Sequence, residues 1–187
     1  MTDGVDSTNR DRFDRLVVPH LDAAFNLARW LTGNDAAAKD VVQESCLRAF
    51  RFMHRFGGGN ARAWLLTIVR NESYTNLKKA SSGDLPLPLS EGGEDIYAEF
   101  PRQCTETPER ILMRLQDARL VQNAIAALPA AWREVIVLRE LEDMSYRDIA
   151  EVINAPMGTV MSRLARGREA LKEILEKMLD DERPETI

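Results

Sequence analysis

The sequence predicts an all-α protein of two helical domains joined by a flexible acidic linker, the C-terminal domain carrying a helix-turn-helix. Three observations predict it. Apolar residues recur at three- and four-residue steps through both halves of the chain. That periodicity vanishes between Ala80 and Pro108, where Gly, Pro, Ser and acidic residues take over in "SSGDLPLPLSEGGEDIYAEF". No run alternates apolar and polar side chains as a half-buried strand does. The 187 residues suffice for two small cores, placed at 1–80 and 109–187 with the linker at 81–108.

The first helix is expected from Asp11 to Leu31, where Phe13, Leu16, Val17, Leu21, Phe25, Ala28 and Leu31 form the stripe and Pro19 kinks it or marks its restart. "TGND" breaks the pattern, and Asp35 is expected to cap a second helix running to about His54. Its core candidates are Val41, Val42, Leu47, Ala49 and Phe50. "GGGN" ends it, and a third helix follows from about Ala61 to Lys79 with Trp64, Leu65, Ile68, Val69 and Leu77 inward. Beyond the linker, helices are expected from Pro108 to about Ala127, from Pro129 to about Glu142, from Tyr146 to Ile153, and from Met157 to about Leu179.

The last two have the lengths of a helix-turn-helix. Ala150 stands where the helices cross closely, Asn154 at the turn position that wants positive φ, and Ser145 can cap the first of them. On the final helix Val160, Leu164, Gly167 and Leu171 share the inward face, while Thr159, Ser162, Arg163 and Arg166 share another. Hydroxyls and guanidiniums near a helix N-terminus can reach base edges and phosphates. One of the two arginines can grip guanine in bidentate fashion while the other meets a phosphate.

Composition excludes several classes. Hydrophobic residues make up 44% and charged residues 29%, ordinary for a folded chain. No apolar run approaches the roughly 20 residues a bilayer requires, and the start "MTDGVDSTNRDRFD" is polar and acidic, so no membrane insertion and a cytoplasmic location are expected. Two cysteines, Cys46 and Cys104, and two histidines, His20 and His54, give neither a disulfide framework nor a zinc site, and no cofactor or catalytic group is expected. Cys46 reads as a buried thiol.

The formal charge of −5 conceals unlike segments. From Arg48 to Lys79 seven Arg or Lys face Glu72 alone, a local charge of +6. Set among them are Phe52, Phe56, Trp64 and Tyr74, and interleaved cations and aromatics suit unpaired bases; Trp64 and Phe52 read equally as core. The loop Gly57 to Gly59 lacks the lysine of a phosphate loop and can instead lend backbone to an extruded base. On the second helix Asp40, Gln43, Glu44 and Leu47 fall on one side, a pattern that suits a protein interface or complements the helix dipole.

Taken in order, "DVVQESCLRAFR", "RAWLLTIVRNESYTNLKK" and "LPAAWREVIVLRELEDMSYRDIAEVINAPMGTVMSRLARGREAL" resemble the polymerase-binding helix, the −10-element helix and the −35-reading domain of bacterial sigma factors of the extracytoplasmic-function (ECF) group. The resemblance runs from about Phe13 to Leu175. It implies that Asp40, Gln43, Glu44 and Leu47 meet the clamp helices of the large subunit of core RNA polymerase, with a further contact to its flap region. It implies that Phe56, Asn60, Trp64, Arg70, Asn71, Tyr74, Lys78 and Lys79 handle the −10 element of promoter DNA as it melts. Thr159, Ser162, Arg163 and Arg166 would read the −35 element, with Arg147 on phosphate. The linker, with seven Asp or Glu against Arg102 alone from Ala80 to Glu109, would thread the polymerase cleft as a stand-in for RNA. An anti-sigma factor is implied as a partner. Lys39, Thr75 and Met161 depart from the family's usual acid, Asp and Lys. The alternative is a helix-turn-helix regulator whose N-terminal bundle senses a ligand or dimerises.

Overall fold

The computed structural model describes residues 3–82 and 108–181, and every regular element among them is helical. Of the linker expected at 81–108, residues 83–107, with Cys104 among them, lie outside the described residues, whereas Ser81, Ser82 and Pro108 belong to the flanking helices. Helix α1 (Asp3–Leu16) gives way to a 3-10 turn at Val18–His20 built around Pro19, and α2 (Leu21–Thr32) restarts from it. The ring of Pro19 fixes φ where no backbone donor is needed, so the chain turns there. α3 (Asp35–Phe52) and α4 (Ala61–Ser82) complete a bundle in which α2, α3 and α4 pack against one another.

Two details of this bundle correct the sequence reading. Asn34, not Asp35, caps α3: its backbone is extended and its side-chain oxygen accepts from Ala37 N at 3.0 Å. Asp35 sits in the first turn and pairs with Arg29 at 2.7 Å. Leu47 is 48% exposed rather than core, because the helical repeat carries it outward with Asp40, Gln43 and Glu44. The helix also stops at Phe52, and Met53–Arg55 tighten into a 3-10 turn that tucks Met53 inside.

In the second half α5 (Pro108–Ala127) leads into α6 (Ala130–Ile136), and α7 (Tyr146–Val152) and α8 (Met157–Asp181) form the helix-turn-helix. The expected single helix to Glu142 instead changes at Val137–Leu141 to one wide turn, with Glu142 N donating to Val137 O at 3.1 Å. The extra residue in that turn shifts the facing of the residues after it, and Glu142 is left 8% exposed. Ser145 caps α7, accepting from Asp148 N at 3.1 Å, and Asn154 has φ +49°, as the turn chemistry predicts. α8 crosses α6 closely at Gly167, where an added Cβ would lie 3.0 Å from Ile136 Cγ1.

The buried side chains of the two halves join in one apolar cluster, from Leu27 and Leu65 to Ile149 and Leu164. α6 packs on α2 and α7 on α4. The two halves therefore meet along the faces of α2 and α4.

Candidate nucleic-acid and polymerase interfaces

On α3 the side chains of Asp40, Gln43, Glu44 and Leu47 are directed away from the core, and none makes an ion pair or side-chain hydrogen bond. Val41, Ala38, Ser45 and Ala49 take the opposite, buried side. The result is an acidic face with one apolar side chain at its edge.

The basic stretch divides into several environments. Glu72 is 8% exposed and pairs with Arg48 at 2.7 Å, so the single acid of that stretch serves the bundle itself. Gly58 and Gly59 take φ near +100°, which requires glycine, and they swing the loop round to α4. Phe56 is buried and its ring lies 5.0 Å from that of half-buried Trp64, so this pair anchors the loop. Asn60 ends the loop as the cap of α4, its Oδ1 accepting from Ala63 N at 3.1 Å. Arg70, Asn71, Tyr74, Thr75 and Lys78 line a polar cleft of about 320 Å³ along α4. Asn71 is exposed there, and Lys79 is exposed one residue beyond the cleft.

Arg70 and Tyr74 are engaged by the other half of the chain. Glu134, fully buried on α6, accepts from Arg70 Nε at 2.7 Å and from the Tyr74 hydroxyl at 2.9 Å. Its second oxygen accepts from Arg163 of α8 at 3.0 Å and from Arg70 Nη2 at 3.2 Å. Arg70 also lies 4.8 Å from the centre of the Tyr74 ring. Burial, with the Glu134 carboxylate beside it, pushes the Tyr74 phenol up to about 12. Tyr74 is thus a neutral donor throughout the physiological range.

Two more acids of the second half meet the first. Glu142 accepts from Asn26 Nδ2 at 3.2 Å and pairs with Arg62, whose Nη1 also donates to the Glu142 carbonyl at 2.8 Å. Asp148 Oδ1 accepts from Asn60 Nδ2 at 3.0 Å. Bonds from Ser145 and Asn60, resisted by partial burial, hold the Asp148 carboxyl below its ordinary value. Arg133 donates to Trp30 O at 3.0 Å and to Leu128 O at 2.8 Å, closing the end of α5 while bridging to α2.

On α8 the residues singled out from the sequence separate. Ser162 and Arg166 are exposed, as is Arg147 on α7. Thr159 is half-buried and Arg163 turns towards Glu134. Met161 stands 52% exposed beside Ser162. Burial pushes the Cys46 thiol up, which disfavours the reactive thiolate. Among the described residues no group of His, Cys, Asp and Glu could hold a metal, and no helix is long and apolar enough to cross a membrane.

Sequence reasoning missed Glu134, Glu142, Arg62 and Asn26. A signal for Glu134 existed: it is a lone acid inside the apolar run "WREVIVL", and a charge at a core position needs a partner. The partners lie in a distant segment, which periodicity does not reveal.

Residues 16–83 match Sigma-70 region 2 and residues 118–171 match Sigma-70, region 4. The chain is 30% identical over 184 residues to the RNA polymerase sigma-H factor of Pseudomonas aeruginosa, covering 96% of this chain and 94% of that protein. It is 34% identical over 158 residues to the ECF RNA polymerase sigma-E factor of Haemophilus influenzae, covering 82% and 81%. Among solved structures it is similar to the sigma factor RpoE from Bartonella quintana, in complex with the anti-sigma factor NepR, with TM-score 0.68, 27% identity and coverage of 88% and 96%. CnrH in complex with the cytosolic domain of CnrY gives TM-score 0.62, 26% identity and 92% coverage of both chains.

Proposed function

This chain belongs to the ECF group of bacterial RNA polymerase sigma factors, and from that premise we propose how its residues divide the work. It is a promoter-recognising subunit of RNA polymerase. The observation that carries this conclusion is the match of both halves, in order, to the two Sigma-70 regions. A regulator with an unrelated sensing bundle is disfavoured by the match over residues 16–83.

The N-terminal domain, residues 1–80, docks on the clamp helices of the polymerase large subunit through Asp40, Gln43, Glu44 and Leu47. Their outward facing and lack of internal partners support the assignment. Asn60, Arg70, Asn71, Tyr74, Lys78 and Lys79 receive the −10 element, with Phe56 and Trp64 setting the shape of the loop beside it. Unpaired bases held there favour the melted promoter over the duplex. The C-terminal domain, residues 109–187, reads the −35 element through Thr159, Ser162, Arg163 and Arg166, with Arg147 on phosphate and the polymerase flap region as a second anchor. The intervening acidic segment follows the polymerase cleft. The chain performs no chemistry of its own. An anti-sigma factor is its regulatory partner, a reading supported by the complex of the similar RpoE with the anti-sigma factor NepR.

Run-off transcription with purified core polymerase and a genomic promoter library tests this. Discrete transcripts should appear only when the chain is added. Core enzyme that stays silent with every template rejects the conclusion.

A further inference from the structure

The first turns of α8 present two neighbouring rows of residues to solvent. Met157, Met161 and Ala165 form one at steps of four, and Gly158, Ser162 and Arg166 form the other. All six are exposed, Met157 to 46% and Met161 to 52%, whereas Val160 and Leu164 are buried and Thr159 and Arg163 are half-buried. Two of the α8 side chains assigned above to the −35 element therefore stand off the outward face, and an apolar row takes that face beside Ser162 and Arg166. We propose that Met157 and Met161 are specificity-determining residues that read thymine in the major groove through its C5-methyl group. The proposal rests on the sigma-factor reading, which sets this face against the −35 element.

The chemistry of the row suits that ligand. A pair containing thymine is the one that places a methyl group on the major-groove edge, where apolar contact recognises it. A methionine side chain is long, unbranched and polarisable, so it can follow a methyl group into the groove. On a helix lying along the groove a step of four residues advances about 6 Å against about 3.4 Å per base step, so the methionines meet thymines about two base pairs apart. Ser162 supplies the polar complement. Its hydroxyl donates to Thr159 O at 3.0 Å, which leaves its lone pairs to accept a hydrogen bond. The adenine opposite a thymine presents its N6 amino donor on the same edge. Met161 and Ser162, side by side, thus match the methyl and amino groups of one T·A pair.

The surroundings favour DNA over a protein as the occupant of this face. No acid occurs from Met157 to Arg168, and Arg166 and Arg147 are exposed. An apolar pair framed by cations complements a groove whose floor carries methyl groups and whose rims carry phosphates. Gly158 leaves the approach clear, since a Cβ added there would meet nothing within 4 Å.

The test uses the full chain with core polymerase on a promoter recovered from the run-off library. Each thymine of the −35 element, on either strand, is replaced in turn by uracil, which removes the C5-methyl group alone. At subsaturating holoenzyme, initiation should fall about fourfold at one or two positions, the scale of one buried methyl group. Met161→Ala should start from a lower rate and show no further loss with uracil at one of these positions, and Met157→Ala should do the same at the other. Leu179→Ala, which removes a comparably exposed apolar side chain near the end of α8, should keep the wild-type response to uracil. Both methionines are exposed, so their variants should fold as the wild type does, and circular dichroism checks this. Uracil without effect at every position overturns the proposal whatever the variants do, as does a −35 element that contains no thymine on either strand. An undiminished uracil loss in both alanine variants also overturns it and assigns the methionines to a protein contact instead. Normal transcription with uracil tolerated throughout rejects the methyl reading alone, whereas core enzyme silent with the wild type rejects the sigma reading.

Discussion

Arg70 Nε of α4 lies 2.7 Å from Glu134 Oε2 of α6, joining two residues that the sequence separates by the whole acidic segment. The acid is fully buried and the arginine half-buried, so their pairing is part of how the halves fit together. Because Arg70 belongs to the assigned −10 face, packing and function compete for the same guanidinium.

Arg163→Ala should lower promoter-specific initiation by about ten- to a hundredfold, the cost of about 1–3 kcal/mol for a base or phosphate contact. Binding to core polymerase, proposed above to run through α3, should not change. Run-off transcription and a pull-down with core enzyme read the two effects separately, and equal loss of both would count against the assigned role.

Leu47→Glu should weaken core-polymerase binding by about 1–2 kcal/mol, since it places a charge where an apolar side chain completes the α3 face. Fold stability should move by no more than about 0.5 kcal/mol, because Leu47 is 48% exposed. Urea midpoints and competition binding against a labelled sigma factor measure these. An unchanged core affinity removes Leu47 from the interface.

Asn71→Ala should impair initiation on fully paired promoters more than on templates already mismatched across the −10 region. Asn71 is exposed in the polar cleft beside Arg70 and Tyr74, where it can act on an unpaired base. Equal impairment on both templates would remove it from the melting step.

Gly167→Val should destabilise the fold by about 1–3 kcal/mol through overpacking. The first added carbon already falls 3.0 Å from Ile136 Cγ1 and 3.4 Å from Trp132 Cβ, so α6 and α8 must move apart. A lowered denaturant midpoint with unchanged slope is the expected reading.

Acidification should loosen the chain through His20. Burial and the nearby Arg62 guanidinium hold its pKa below the ordinary value, so the unfolded chain takes up the proton first. This contribution is complete above about pH 6.5 and is lost as pH falls through the lowered folded value. His20→Gln should lose less stability than the wild type between about pH 7.5 and about pH 5.5, as compared by urea midpoints. Identical losses would show that His20 has no part in the pH response.

The sequence by itself determined the helical elements, the turn and the family. Period and punctuation are local, so Pro19, the glycine loop, the Ser145 cap and the positive φ at Asn154 were legible before any fold was known. The facing of Asp40, Gln43, Glu44 and Leu47 followed from helical spacing alone, although choosing Leu47 as both core and interface left its exposure undecided. Boundaries slipped where local rules compete, as at Asn34 and Asp35, either of which can cap a helix. Only the tertiary structure decided which functional side chains face solvent and which face each other. Arg70, Tyr74 and Arg163 look alike in sequence to Asn71, Lys78 and Arg166, yet the first three converge on Glu134. That difference arises from how α6 packs across α2 and α8, and from the wide turn after Ile136 that brings Glu142 to Arg62. Such contacts join residues far apart in the chain, and a hydrophobic pattern carries no record of which buried charge meets which.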